Sequence, residues 1–534
     1  MPINDPIAEG LAAGWHHLDG STMTEDVQLE ADVVIIGSGA GGGTAADILS
    51  EAGLKVIVVE AGPLKSSSDF DMEERTAYPN LYQQAASMKT SDKAIGIFQG
   101  RAVGGSTTIN WTTSIRTPEP TLEFWAAEKS VSGLSRNELD PWFEAMENKL
   151  SIREWALSPN ANNDKLKQGC EQLGWEYTVI KRNVAACWNT GYCGMGCPVN
   201  AKQSMLVTTL PAMMTRGGTL LSRVKAVQIE HHKDRVFGIR AQALNEQLKP
   251  TGASVMLKGR HYILAGGAIH TPTLMMRSGV IDPYELLGKR TFLHPTLLSG
   301  ALFDETISAH SGAPQSIYSD EFVWRDGAAG KPGYKLEVPP LHPVLLASKT
   351  IGYGRSHAEL MEQFNQLQVT IALVRDGFHP KLEGGRLSVK ADGSFSLDYP
   401  LTDTFWETAR DAFASMAELQ FAAGAQKVLP ISEGMAMMGS WKQTRQAIAD
   451  MSLAPLKTVV ASAHVMGGCP LGEDRQLAMV DSHGRSHYLE NLSVMDGSVF
   501  PSSLGANPQL TIYGMTARNA TRLAGELLKT KSPA

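Results

Sequence analysis

The sequence predicts an α/β fold, and three observations in residues 31–62 predict it. Residues 33–36 (VVII) are an apolar, β-branched run of strand type. The turn Gly37-Ser38-Gly39-Ala40-Gly41-Gly42 follows at once, and residues 44–51 have a helix's composition. Residues 55–60 read as a second buried strand, ending on Glu60. Strand, Gly-x-Gly-x-x-Gly turn, helix and a strand ending on an acid make a βαβ unit of Rossmann type, which binds a dinucleotide. Gly37 permits the tight turn, Gly39 lets a pyrophosphate approach the backbone, and Gly42 lets the helix pack close to the sheet. The free N–H groups and dipole at the helix start favour a diphosphate. The Glu60 carboxylate can accept both ribose hydroxyls of an AMP half. This unit alone does not choose between NAD and FAD.

A chain of 534 residues is too long for one simple core, so at least two domains are expected. Hydrophobic residues at 43% and charged residues at 19% describe an ordinary globular chain. A net charge of −7 is mild for this length and gives no reason to expect nucleic acid or an anionic membrane as partner. No stretch approaches the roughly 20 apolar residues needed to span a bilayer, so no transmembrane segment is expected. Residues 1–30 lack a basic start and an apolar core and do not read as an export signal. They form an N-terminal extension, in which residues 6–18 suit an amphipathic turn or two. Five cysteines, an odd and small number, argue against a disulfide-stapled secreted fold. A cytoplasmic location is the expectation, with periplasmic export alongside a signal-bearing partner as the alternative.

Along the chain, residues 63–100 are polar and loop-like, a plausible cover over a cofactor. Gly100-Arg101-Ala102-Val103-Gly104-Gly105-Ser106 follows, suited to close backbone approach to a flat or phosphorylated ligand and, taken alone, reading better as an ordinary tight turn. Residues 118–129 and 136–149 are helical and acidic and leave the nucleotide domain. Residues 218–229 and 236–244 read as strand, turn, strand; 261–267 are a buried strand running into glycines, and 271–278 open a helix. Residues 293–454 differ in character, with strand candidates at 368–374 and 386–398 beside an amphipathic helix at 403–423. The last eighty residues return to strands and Gly-rich turns and end in a helix at 510–529. The expected layout is a discontinuous nucleotide domain (31–117, 185–292 and 455–534) and a substrate domain and cap (118–184 and 293–454) built on an antiparallel sheet.

Those pieces, in this order, resemble the glucose–methanol–choline (GMC) family of FAD-dependent oxidoreductases. Residues 100–110 resemble its first signature and 267–280 its second, with Ile281 replacing the usual closing glycine. His464-Val465-Met466-Gly467-Gly468-Cys469, then Asp496-Gly497-Ser498 and Asn507-Pro508, match its third. The resemblance implies an FAD-binding domain of the p-hydroxybenzoate hydroxylase-like kind plus an α+β substrate domain, and it selects FAD over NAD. It implies FAD contacts from Gly37, Gly39, Gly42, Glu60, Ala61, Arg101, Gly104, Gly105, Ser106 and Asn110. Further contacts are implied for Ala226, Ala265, Gly266, Asp496, Gly497, Asn507, Pro508 and Gln509. Some relatives carry the flavin covalently on a histidine before the signature asparagine; here that position is Ile109, so non-covalent FAD is expected.

Oxidising an alcohol requires removing its hydroxyl proton and passing the carbon-bound hydride to flavin N5. Histidine is the side chain whose ordinary pKa lies near neutrality. The resemblance makes His464 that base and Asn507 the group that holds the substrate oxygen. Of the 14 histidines, only His464 carries a motif. His270, His294, His310, His342, His379, His483 and His487 read as structural. Trp111 reads as packing or pocket wall.

Cys187, Cys193 and Cys197 stand in a C-x5-C-x3-C-P loop. Thiolates so crowded can ligate an iron–sulfur cluster or zinc, or can pair as a disulfide. The spacing resembles the loop that holds a [3Fe-4S] cluster in FAD sugar dehydrogenases of the family, and the surrounding residues also resemble its long-chain alcohol oxidase branch. Cys170 and Cys469 read as buried packing. The expected function is FAD-dependent oxidation of a primary or secondary alcohol, with electrons passed to oxygen, a quinone or a cytochrome, or through a small partner subunit. A non-redox lyase with structural FAD, a sugar dehydrogenase subunit with a cluster, and an electron carrier without turnover are the competing readings.

Overall fold

The computed structural model describes residues 3–529. Val27–Ile36 is the central strand of an eight-stranded sheet. Val33, Val34 and Ile35 on it are fully buried, because parallel neighbours and covering helices leave neither face to solvent. Val56–Val59 lies parallel on one side and Pro250–Leu264 on the other. Thr219–Ser222 extends the first side, and the antiparallel pair Arg235–Leu244 and Val224–His232 extends the second. Leu492–Val494, from the far end of the chain, pairs parallel with Pro250–Leu264. The helix Ala40–Glu51 packs against the C-terminal helix Gln509–Lys529, covering this sheet.

A second eight-stranded sheet is formed largely by residues 293–454, expected from sequence to face the substrate. Its order is Ile95–Ile97, Val460–Ser462, Thr296–Leu302, Leu367–Val374, Tyr334–Glu337, Ile317–Ser319 and Thr178–Val179, with Lys427–Pro430 also paired to Thr296–Leu302. The long helix Asp403–Ala422 lies on it, started by the Thr402 side chain accepting from the Phe405 amide. Its apolar residues Phe405, Ala409, Ala412, Phe413 and Met416 recur at helical spacing and are fully buried. A four-stranded sheet joins the two halves: Phe395–Asp398, Gly385–Val389, Lys289–Phe292 and Met466–Gly467.

Four elements differ from the sequence reading. Residues 63–100 are not all loop: they contain the helix Glu74–Leu81 and the strand Ile95–Ile97, which joins the substrate sheet beside Val460–Ser462. The partner strand lies hundreds of residues away, so no local periodicity announces it. The strand read over residues 33–36 begins at Val27, and His16–Asp19 adds an edge strand beside Thr219–Ser222. The helix Pro6–Ala12 precedes it, capped by the Asp5 carboxylate accepting from the amides of Ile7 and Ala8. Among the described residues no helix is long and apolar enough to cross a membrane.

Candidate active site

One continuous cavity of about 630 Å3 runs between the two large sheets. At one end Gly37, with φ +104°, turns the chain out of the central strand into the helix Ala40–Glu51. A Cβ on Gly105 would stand 2.7 Å from Gly39 Cα, so the two glycine loops face each other with no room for side chains. Glu60 lines this end; its Oε2 accepts from the Ser38 amide (3.2 Å) and hydroxyl (2.7 Å), and its Oε1 from the Gly62 amide (2.8 Å). The Ser38 hydroxyl also accepts from the Gly104 amide at 3.0 Å, tying the first glycine loop to the second. These backbone donors at a helix start, the Glu60 carboxylate and the Arg101 guanidinium fit the phosphate and ribose half of FAD.

Of the residues expected at the cofactor, Ala61, Ser106, Asn110, Ala226, Ala265, Gly266, Asp496, Gly497, Pro508 and Gln509 all line the cavity. Gly42 and Gly104 do not. A Cβ on Gly42 would meet Gly37 O at 1.8 Å, so its hydrogen serves the helix–strand approach. Gly104, at φ +88°, shapes the second loop, where a Cβ would meet Thr108 Oγ1 at 2.4 Å. Asp496 is buried and accepts from the Gly267 amide (2.8 Å), the Thr271 hydroxyl (2.6 Å) and the Ser498 amide (2.8 Å). Burial pushes its carboxyl pKa up, against those hydrogen bonds. Asn110 donates to Gln509 Oε1 at 2.6 Å, fastening the second glycine loop to the start of the C-terminal helix.

His464 and Asn507 meet at the other end. His464 follows the strand Val460–Ser462, and Asn507 stands just before Pro508 and the helix Gln509–Lys529. Asn507 Nδ2 lies 3.4 Å from His464 Nε2, and both residues line the cavity. Desolvation and the nearby Lys335 ammonium push the His464 imidazole down to about 4, below the near-neutral value expected of the base. The ring is therefore neutral at pH 7, with its lone pair available. The physical reason is burial without a carboxylate at the ring.

Two residues read otherwise, or not at all, from sequence stand beside this pair. His294, read as structural, places its Nδ1 3.2 Å from His464 Nδ1. Glu337 is buried; its Oε2 accepts from Gln315 Nε2 (2.6 Å) and from Asn507 Nδ2 (3.4 Å). Burial pushes the Glu337 carboxyl pKa up, with Lys335 opposing. No motif marks Glu337 or Gln315, and His294 differs from the other motif-free histidines only in three dimensions. His270 and His342 also line the cavity, His270 Nε2 lying 3.0 Å from Gln83 Nε2. Trp111 is a cavity wall. Strand residues Leu298, Val369, Ile371 and Leu373 make the substrate side apolar.

The three loop cysteines line a separate cavity of about 10 Å3, room for about one water. Cys193 Sγ lies 3.7 Å from Arg182 Nη2, while Cys187 Sγ accepts from the Asn189 amide. Among the described residues no three His, Cys, Asp or Glu side chains are placed to hold a metal ion, so the expected ligand set Cys187, Cys193 and Cys197 is not assembled. All five cysteines are unpaired, Cys170 and Cys469 being buried. Arg182 is fully buried, stacked 4.6 Å above Trp155, with Nε and Nη1 unpartnered. Lys202 Nζ donates to the carbonyls of Thr108 (2.7 Å), Asn110 (2.9 Å) and Cys193 (2.6 Å), linking this loop to the second glycine loop.

Comparison with known proteins follows the same outline. Residues 78–296 and 385–516 match the GMC oxidoreductase family models, and residues 32–70 match an FAD binding domain. The uncharacterized GMC-type oxidoreductase y4nJ of Sinorhizobium fredii is 31% identical over 510 residues, covering 94% of this chain and 96% of its own. The long-chain-alcohol oxidase FAO4A of Arabidopsis thaliana is 29% identical over 523 residues, covering 93% of this chain and 69% of its own. Among solved structures, pyridoxine 4-oxidase from Mesorbium loti superposes with a TM-score of 0.69 at 18% identity, covering 92% of this chain and 98% of that one. Formate oxidase superposes with a TM-score of 0.66 at 14% identity, covering 94% and 99%.

Proposed function

The chain belongs to the GMC oxidoreductase family and is an oxidoreductase acting on CH–OH donors, and from that premise we propose that it oxidises an apolar primary alcohol to the carbonyl, with His464 as base and Asn507 holding the substrate oxygen. FAD, bound without a covalent link, supplies the hydride acceptor, flavin N5. The observation that carries the reading is the 3.4 Å approach of His464 Nε2 and Asn507 Nδ2 on the wall of the cavity that also contains the glycine cradle. An alcohol oxygen beside both atoms donates its proton to the Nε2 lone pair and accepts from the Nδ2 hydrogens as it gains alkoxide character. The buried setting excludes water and strengthens both contacts.

The apolar walls from Leu298, Val369, Ile371 and Leu373 support a hydrocarbon chain on the carbinol carbon, in keeping with the long-chain-alcohol oxidases among the relatives. Electrons leave to oxygen, a quinone or a cytochrome. Unpaired thiols at all five cysteines support a reducing compartment, the cytoplasm. Mixing the flavin-loaded protein with a series of 1-alkanols in the absence of air tests the reading. Bleaching of the flavin absorbance is expected, faster with longer chains. An intact flavin that no alcohol bleaches would leave the lyase or carrier reading instead.

A further inference from the structure

We propose that His294 is a positioning residue that holds His464 with its proton on Nδ1, so that Nε2 is the atom left free to take a proton. That this proton comes from an alcohol rests on the reading above; the tautomer does not.

The direction of every hydrogen bond along one buried chain of side chains leads to this assignment. The Thr113 hydroxyl donates to Gln315 Oε1 at 2.5 Å, so Gln315 presents Nε2 to Glu337 Oε2 at 2.6 Å. That carboxyl oxygen is then an acceptor, and it draws Asn507 Nδ2 as a second donor at 3.4 Å. The same amide nitrogen faces His464 Nε2 at 3.4 Å. A donor opposite Nε2 requires a lone pair there, and a neutral imidazole carries its single proton on the other nitrogen. That nitrogen, Nδ1, faces His294 Nδ1 at 3.2 Å. His294 must therefore accept, which places its own proton on Nε2, an atom that is buried and has no partner.

His294 keeps this pose against two local costs. The buried Nε2–H has no hydrogen-bond partner, so its desolvation is uncompensated. Its backbone sits at φ +50°, a region that residues other than glycine rarely adopt and that is often found at functional sites. Asp376 holds it there. Its Oδ2 accepts from the Leu293 amide (2.9 Å) and its Oδ1 from the His294 amide (3.2 Å), while Tyr399 donates to Oδ2 at 2.7 Å. In the proton step the substrate O–H bond breaks and an Nε2–H bond forms on His464. The new positive charge is then spread through the Nδ1–H···Nδ1 bond to a neutral second ring.

The direct test is 15N NMR of histidine-labelled, flavin-loaded wild-type protein, with the His464 signals identified by their loss in His464→Gln. A protonated Nδ1 and a bare Nε2 are expected; the reverse tautomer overturns the proposal. The kinetic test compares two variants. His294→Leu, which cannot accept, should slow flavin reduction by a 1-alkanol about 100-fold with little change in KM. His294→Gln offers a carbonyl to Nδ1–H and should recover to within about tenfold of wild type. Equal rates in Leu, Gln and wild type overturn the proposal. If His294→Leu does not fold, the wild-type spectrum still decides. If no alcohol reduces the wild-type flavin, the functional reading fails while the spectrum judges the tautomer separately.

Discussion

The alcohol end of the large cavity and the cysteine loop are both marked by conspicuous sequence patterns, yet their interiors differ. At His464 the polar side chains form one connected chain, Thr113–Gln315–Glu337–Asn507–His464–His294, drawn from six separate stretches of sequence, although Glu337 Oε1, Asn507 Oδ1 and His294 Nε2 along it have no partner. At the cysteines the residues are near in sequence, Cys193 lies beside Arg182 and Cys187 accepts from the Asn189 amide, and Arg182 keeps two nitrogens unpartnered. Proximity along the chain supplied the raw materials of a site in the loop; convergence from a distance supplied an oriented one at His464.

This contrast can be broken most forcefully at His464. His464→Ala should slow anaerobic flavin reduction by an alcohol about 10²–10⁴-fold while the flavin stays bound, as measured by stopped-flow absorbance. Asn507→Leu should cost about 10²–10³-fold in the same assay, because the oxygen loses its donor. Wild-type rates in both would erase the distinction between the two regions.

Acid should act on the same network. His464 and His270 are held down to about 4, and His261 to about 3, all mainly by burial, against an ordinary value of 6.5. Below pH 6.5 the unfolded chain binds protons that the folded one refuses, so their stabilising share is full above that pH and is lost as pH falls towards 4. Urea midpoints should decline over that window. Midpoints flat from pH 7 to 4 would show these rings to be protonated in the fold.

In the loop, effects should be smaller and should fall on stability. Lys202→Met strips three carbonyls of their donor and should destabilise the protein by about 1–3 kcal/mol, read from thermal melting. Cys193→Ser should change the rate of flavin reduction by less than about twofold, equivalent to about 0.5 kcal/mol. A large loss there would make the loop part of the alcohol chemistry.

What the sequence made legible follows the same division. The strand–glycine–helix unit could be read because its chemistry is local: Gly37, Gly39 and Glu60 lie within one supersecondary element and do line the cavity. His464 and Asn507 could be read only through their resemblance to a family block. Glu337, Gln315 and His294 could not be read, since each acquires its meaning from a neighbour brought in by a different strand. The edge strand Ile95–Ile97 escaped for the same reason, pairing with residues 460–462. The cysteine spacing suggested a ligand set, yet among the described residues no three such side chains are placed to hold a metal ion, because spacing reports nearness along the chain and not the geometry a metal needs.

The pairing of Leu492–Val494 with Pro250–Leu264, and of Asn110 with Gln509, has a consequence for biosynthesis. A nascent chain that has emerged only as far as residue 450 possesses the complete glycine fingerprint but lacks the segment that closes over it. Closure over the cofactor site waits for residues 492–512 to emerge, and truncation before Leu492 should yield colourless protein.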